Sequence, residues 1–209
     1  MALLDIPRID SAGNLKMMQI IRAALLVVPL LLSSFAHAMF VEVGVSYNYM
    51  KRTFSELDKV ENQSTTGSVA FYAWEQIALE FSYTNGLYVK KERESSLTNS
   101  SSQRTTTQYS DIYESNLIYV FADKKATFQP YIKGGAAYIK KKQVVQIDND
   151  IPFSIEPKPG LAPSYGIGMK FLLSESFAIK ASYDAVRTPI DDDSSVDDIT
   201  GRVGISWIF

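Results

Sequence analysis

Through most of the chain apolar and polar residues alternate one by one, the two-residue period of a β-strand. Eight runs carry it, at residues 39–50, 65–73, 77–84, 108–121, 128–138, 164–172, 177–186 and 199–209. In the first run Val41, Val43, Val45, Tyr47 and Tyr49 share one face, against Glu42, Gly44, Ser46 and Asn48. In the last, Val203, Ile205, Trp207 and Phe209 stand against Arg202, Gly204 and Ser206. The fourth run keeps its phase least cleanly, because Ile112, Ile118 and Val120 fall on its polar face.

The connections alternate in length. Those after the second, fourth and sixth runs are short: residues 74–76, 122–127 and 173–176. Those after the odd runs are long and polar: residues 51–64, 85–107, 139–163 and 188–198. Strands joined in sequence by such connections predict an antiparallel up-and-down sheet. An even strand number returns both ends of the sheet to one side. Short turns on that side and long loops on the other are the asymmetry of a barrel that spans a membrane. No internal repeat or second folding unit interrupts the pattern.

The N-terminal segment is different. Residues 17–38 carry one basic residue, Arg22, then an apolar run over 23–32, then Ala36-His37-Ala38. This predicts a Sec signal peptide cleaved after Ala38, and the run is too short for a spanning helix. The chain is therefore divided into 1–38, extension plus leader, and 39–209, barrel. Residues 1–16 do not resemble a leader, so translation is expected to start at Met17 or Met18.

Composition narrows the function. Basic and acidic residues nearly balance, 21 against 23, and a nucleic-acid binder needs a basic face. There is no cysteine, and the one histidine, His37, lies in the leader. Serine nucleophiles usually need an imidazole base, and zinc usually needs Cys or His. Neither catalytic nor metal-ligating residues are expected, nor a cofactor. The acidic stretch Asp191, Asp192, Asp193, Asp197 and Asp198 lacks the glycine and glutamate spacing of an EF-hand and reads as a solvated loop.

The polar face is built of Gly, Ser, Asn and Thr with isolated charges, which suits a narrow interior. Aromatics fall near the strand ends: Phe121, Phe171, Phe177, Trp207 and Phe209 on the short-turn side, and Tyr49, Tyr83, Tyr138, Tyr165 and Tyr183 on the long-loop side. They are placed as two interface girdles would be. The ending Val203-x-Ile205-x-Trp207-x-Phe209 resembles the C-terminal signal by which outer-membrane barrels are recognised for assembly. Residues 116–121 and 130–138 resemble the fourth and fifth strands of the OmpA/OmpX- and opacity-type small barrels. The resemblance covers residues 39–209 and implies an all-β, eight-stranded transmembrane barrel, probed by the barrel-assembly machinery and surrounded by lipid and lipopolysaccharide. The wall-binding domain of OmpA-type proteins is not expected here.

Three groups of side chains are candidates for function. Glu42, Glu80, Glu114 and Asp184 are predicted to face the interior with Lys133, Lys170, Lys180 and Arg202. Eight strands leave an interior only wide enough to be filled by side chains, so these charges must pair. Lys90, Lys91, Arg93, Lys140, Lys141 and Lys142 are predicted just beyond strand ends, where lipopolysaccharide phosphates sit, and Lys and Arg suit phosphate oxygens. Val144, Val145, Ile147, Ile151, Phe153 and Ile155 flank a turn at Asp148-Asn149-Asp150 and predict a hairpin with an apolar edge for strand addition.

Three functions stay open at this point. The first is a non-enzymatic, monomeric anchor in the outer membrane, presenting its loops for adhesion or envelope contacts. The second is a narrow OmpW-like channel for small solutes. The third, with the faces inverted, is a soluble secreted barrel around an apolar ligand.

Overall fold

The computed structural model describes residues 40–54, 58–95, 101–148, 150–191 and 194–209, with side chains at 94–95, 101–102, 188–191 and 194–197 excepted. The leader, residues 1–38, lies outside them, as do Asp192, Asp193 and Asn149. Nine strands follow in order: β1 (Phe40–Thr53), β2 (Lys59–Trp74), β3 (Ile77–Ser95), β4 (Ser101–Val120), β5 (Phe128–Ile147), β6 (Phe153–Ile155), β7 (Gly160–Ser174), β8 (Phe177–Asp191) and β9 (Ser194–Ile208). Consecutive strands pair antiparallel, except that β7 pairs with β5 and not with the short β6, and β1 pairs with β9, so eight strands close a barrel. The short β6 pairs only with the outer part of β5, from Gln143↔Ile155 to Val145↔Phe153, and lies outside the barrel proper.

The closing seam is the shortest ladder of the barrel wall, running from Glu42↔Ile208 to Tyr47↔Val203. At the lower end, Val41 and Phe209 exchange backbone hydrogen bonds at 3.1 and 2.9 Å. Above Tyr47 the Asn48 amide donates to the Gly201 carbonyl oxygen. Glycines let the walls approach on the inner face. A Cβ on Gly204 would stand 2.2 Å from the Val45 carbonyl oxygen, and one on Gly135 would stand 2.0 Å from that of Ser115.

The strands are longer than the alternation predicts, always at the same end. β3 and β4 remain paired from Ile77↔Tyr119 out to Ser95↔Ser101, where a long loop over 85–107 is expected from the pattern. β1–β2 and β8–β9 likewise run out to Thr53↔Lys59 and Asp191↔Ser194. The physical reason is that the outer halves meet water on both faces. There Thr, Ser, Gln and Lys keep the ladder without alternating in polarity, so period two vanishes while pairing continues. Spanning strands need only about 9–11 residues, and these have 14–20 in the eight barrel strands. The excess forms β-ribbons that project on one side.

The faces of the barrel wall are sorted as the pattern predicts. Val45, Phe81, Leu117, Ile132, Ile167 and Val203 are exposed on the outside, while the even positions of β1–β4 and β7–β9 and the odd positions of β5 are turned inward. Ile118 and Val120, out of phase in the sequence, face inward and are almost fully buried. They join Phe40, Ala70, Tyr72, Ala78, Tyr131 and Ile208 in an apolar layer that fills the short-turn end. Phe40 and Tyr72 stack there at 4.1 Å, and the ammonium of Lys124 lies 4.1 Å over the Phe40 ring. Gln129 ties the 121–127 turn across this end by donating to the carbonyls of Asp123 and Lys124.

Candidate functional site

Strand pleating aims successive side chains to opposite faces, so one inward charge per strand in a narrow barrel meets charges from the far wall. All eight predicted lumenal charges are inside, and they form one chain of alternating sign. Lys170 Nζ lies 2.9 Å from Glu42, and Glu42 lies 3.0 Å from Lys180. Lys180 lies 3.5 Å from Glu80, which lies 3.4 Å from Lys133. Lys133 lies 3.0 Å from Asp184, Asp184 lies 3.1 Å from Arg202, and Arg202 lies 3.5 Å from Glu114. The chain starts just above the Phe40–Tyr72 layer and climbs to mid-barrel.

Hydroxyls complete the coordination. Tyr72 donates to Glu42 at 3.0 Å and accepts from Lys170 at 2.8 Å. Ser82 donates to Glu114 and Ser182 to Asp184. Separately, Ser164 donates to Asn116 at 2.6 Å, and the hydroxyls of Thr66 and Thr84 meet at 2.7 Å. The sequence reading did not assign Tyr72 to the network. The signal was its even position on β2, in phase with Ser68 and Ala70. Between these walls the free space amounts to about 30 Å³, lined by Ser46, Ser68, Tyr131 and Lys133 among others. A carboxylate brought out of water costs several kcal/mol or more unless paired. Four acids matched with four bases and capped by hydroxyls meet that condition.

Above Arg202 the lumen widens into a vestibule of about 330 Å³ on the long-loop side, lined by Asn62, Ser64, Thr84, Tyr88, Gln108 and Thr200 among others. Lys141 stands on its wall, 2.7 Å from Asp198. Below it, among the described residues, lie the 30 Å³ space, the ion chain and the apolar layer, which form its floor.

The predicted lipopolysaccharide cluster is split by the pleat and by strand length. Lys141 faces inward and belongs to the vestibule. Lys140 faces outward and sits over the rings of Tyr113 and Tyr138, at 5.9 and 5.7 Å. Tyr83, Tyr113 and Tyr138 are aligned across β3, β4 and β5 and form the outer aromatic row. Lys142, also outward, pairs with Glu156 at 2.8 Å, which raises its pKa. Lys90, Lys91 and Arg93 do not lie at a strand end. β3 continues past them, and Lys90 is seven residues beyond Tyr83, about 23 Å along a strand. They stand on the projecting ribbon, where Lys90 pairs with Glu92 at 2.5 Å and the Arg93 amide donates to Asp58. Of the six basic residues only Lys140 is placed among the outer tyrosines.

Val203, Ile205, Trp207 and Phe209 all face outward on the last strand, and Trp207 meets Phe177 edge-on at 5.5 Å. The same short-turn girdle is continued by Phe128 against Phe171 at 5.2 Å and Tyr119 against Phe121 at 5.1 Å. At the hairpin of β5 and β6, Val145 is fully buried, while Ile151, Phe153 and Ile155 are exposed. Its turn is held by Asp148, whose φ of 47° is a conformation that Asp tolerates and whose carboxylate accepts from the Gln103 amide. Of the acidic stretch, Asp198 is engaged by Lys141.

The third open function required the apolar face inside and the charged face outside. The structure has the opposite sorting, with an ionic interior beneath an apolar outer wall.

The N-terminal β-barrel domain of Pseudomonas aeruginosa OprF is similar in structure, with a TM-score of 0.52 and 18% identity, over 81% of this chain and 97% of that one. The chain folds as a small outer-membrane-type β-barrel. Neisserial surface protein A is more distant, with a TM-score of 0.47 and 13% identity over 81% of this chain and 95% of that one. Ail of Yersinia pestis, solved with a heparin analogue, has a TM-score of 0.45 and 13% identity over 82% and 97%. No family model matches the chain, and no curated protein does. At these identities the likeness concerns the fold, and function has to be argued from the residues.

Proposed function

We propose that this barrel is a non-enzymatic anchor in the outer membrane, delivered there after export by its leader, and that its function is carried by the ribbons that project on the long-loop side. One observation carries the reading: the lumen is closed by a continuous ion-paired chain seated on an aromatic layer. A conduit needs a hydrated path, and each of the eight charged side chains on this path is committed to an oppositely charged neighbour. The apolar outer wall with aromatic rows at both ends supports the membrane setting, since contiguous apolar surface of that extent is not stable in water. Lys140 over its two tyrosines is suited to a lipopolysaccharide phosphate at the interface. The outward Val203-x-Ile205-x-Trp207-x-Phe209 edge is suited to capture by the barrel-assembly machinery.

The exposed Ile151, Phe153 and Ile155 supply an apolar edge for adhesive contact, and β6 offers a strand edge beside it. Conductance of the refolded protein in planar bilayers tests the anchor reading. A folded barrel that inserts and stays silent is expected. Steady, reproducible openings would transfer the function to the lumen and make the protein a narrow channel.

A further inference from the structure

The upper lumen is a cavity with a floor and an open mouth, and its lining is chemically specific. The part of the wall that is neither charged nor apolar consists of the amides of Asn62 and Gln108 and the hydroxyls of Ser64, Thr84, Ser110 and Thr200. Each of these groups both donates and accepts hydrogen bonds. Tyr88 adds an aromatic ring to the same wall. The two cations at its boundary are already engaged: Lys141 by Asp198 at the side, and Arg202 by Asp184 and Glu114 at the floor. Arg202 nevertheless keeps its Nε–H buried without a hydrogen-bond partner. A volume of about 330 Å³ is at the lower end of the range of small-molecule sites, roughly 300–1,000 Å³.

We propose that this vestibule is an outward-facing binding site for a small neutral saccharide of one or two rings. The chemistry selects the class by elimination. An apolar solute would strip water from the polar groups of Asn62, Gln108 and Thr200 without replacing its hydrogen bonds, which costs affinity. A carboxylate would be a fifth anion beside a lumen in which four acids are already matched by four bases. A cation would compete with Lys141 for Asp198. A polyhydroxyl ring reproduces the hydrogen bonds of the water it displaces and turns its C–H face to Tyr88. Because the floor is sealed, the sugar enters and leaves by the same mouth. The site goes beyond the anchor reading and does not depend on it, since it requires only the barrel interior seen here.

The test is an amide NMR titration of the refolded protein in detergent micelles with methyl β-glucoside, maltose, glucuronate and glucosamine. The neutral sugars are expected to give saturable shifts at Gln108, Ser110 and Thr200, with Kd on the order of 1–10 mM. The charged sugars should bind at least tenfold more weakly. In N62L/Q108L the shifts should be lost while heat-modifiable migration on gels still reports a folded barrel. T200V removes one hydroxyl at nearly constant shape and should weaken binding in the same direction, which keeps the test valid if the double variant does not fold. Dextran separates two sources of the same chemistry. Binding per chain end equal to that of maltose upholds a site for polysaccharide termini, and binding of maltose alone upholds a site for free sugar. The proposal is overturned if no shift appears at about 100 mM of either neutral sugar. It is equally overturned if shifts map to β6 instead of the vestibule, or if glucuronate binds more tightly than the glucoside.

Discussion

Glu42 is the most demanding point of the ion chain, and replacing it tests the account of the closed lumen. Its carboxylate is 1% exposed and serves Lys170 at 2.9 Å, Lys180 at 3.0 Å and the Tyr72 hydroxyl at 3.0 Å. Glu42→Gln keeps the shape and removes the charge. Lys180 then retains Glu80 at 3.5 Å, and Lys170 keeps neutral acceptors, the Tyr72 hydroxyl among them, but no paired carboxylate. Removing one partner of a buried pair typically costs about 3–5 kcal/mol, because the other charge stays buried and uncompensated. The exposed pair Lys142–Glu156 provides the scale, since exposed pairs of this kind contribute about 0–1 kcal/mol. The assay is urea unfolding of the protein refolded into lipid vesicles, followed by tryptophan emission. Glu42→Gln is expected to lose about 3–5 kcal/mol, Glu156→Gln less than about 1 kcal/mol. The double variant Glu42→Met with Lys170→Met should recover most of the loss, because a buried pair replaced by apolar residues of similar volume is often neutral or better. If Glu42→Gln and Glu156→Gln had equal effects, the lumen would be hydrated and the closed-barrel argument would fail.

Gly204→Val should prevent the barrel from closing, since its Cβ would meet backbone atoms of Val45 and Ser46, whereas Gly67→Ala, with nothing within 4 Å, should refold normally; loss of heat-modifiable migration for both, or for neither, would reject the packing argument. Hydrogen exchange should be faster in β1 and β9 above Tyr47↔Val203, where the seam ladder stops, than in the β3–β4 ladder at the same height; equal protection would mean the seam is as continuous as the other walls. Trp207, on the outer wall at the short-turn end, and Trp74, exposed at the β2–β3 turn where a register shift after Tyr72 breaks the inward parity of β2, should be quenched by brominated lipids after refolding into vesicles, and emission indifferent to such lipids would remove the membrane setting.

The two-residue alternation was enough to determine the strand number, the order of short and long connections, and the two faces of each strand. It was enough because a side chain's face depends only on the parity of its position once the backbone is extended. Parity put the eight charges on one shared face, and the small residues of that face with the aromatic rows of the other pointed it inward. Strand length was not legible. Beyond the apolar band both faces meet water, so Lys90, Lys91 and Arg93 show no period and read as loop, although backbone pairing carries β3 on to Ser95. Nor did the sequence explain Ile118 and Val120, which look like errors of phase until the opposite wall is known. They are inward because Phe40, Tyr72 and Tyr131 arrive from other strands to make an apolar layer there.

The order of the ion chain is likewise a property of closure. Lys170 meets Glu42 across 128 positions of sequence. Lys141 is turned away from Lys140 and Lys142 by the pleat, and its partner Asp198 comes from β9. The sequence by itself determined which side chains share a face of the wall, because parity is local. Only the tertiary structure decided which of them touch, how far the lumen is filled and where it opens, because those depend on the stagger of strands distant in sequence around a closed wall.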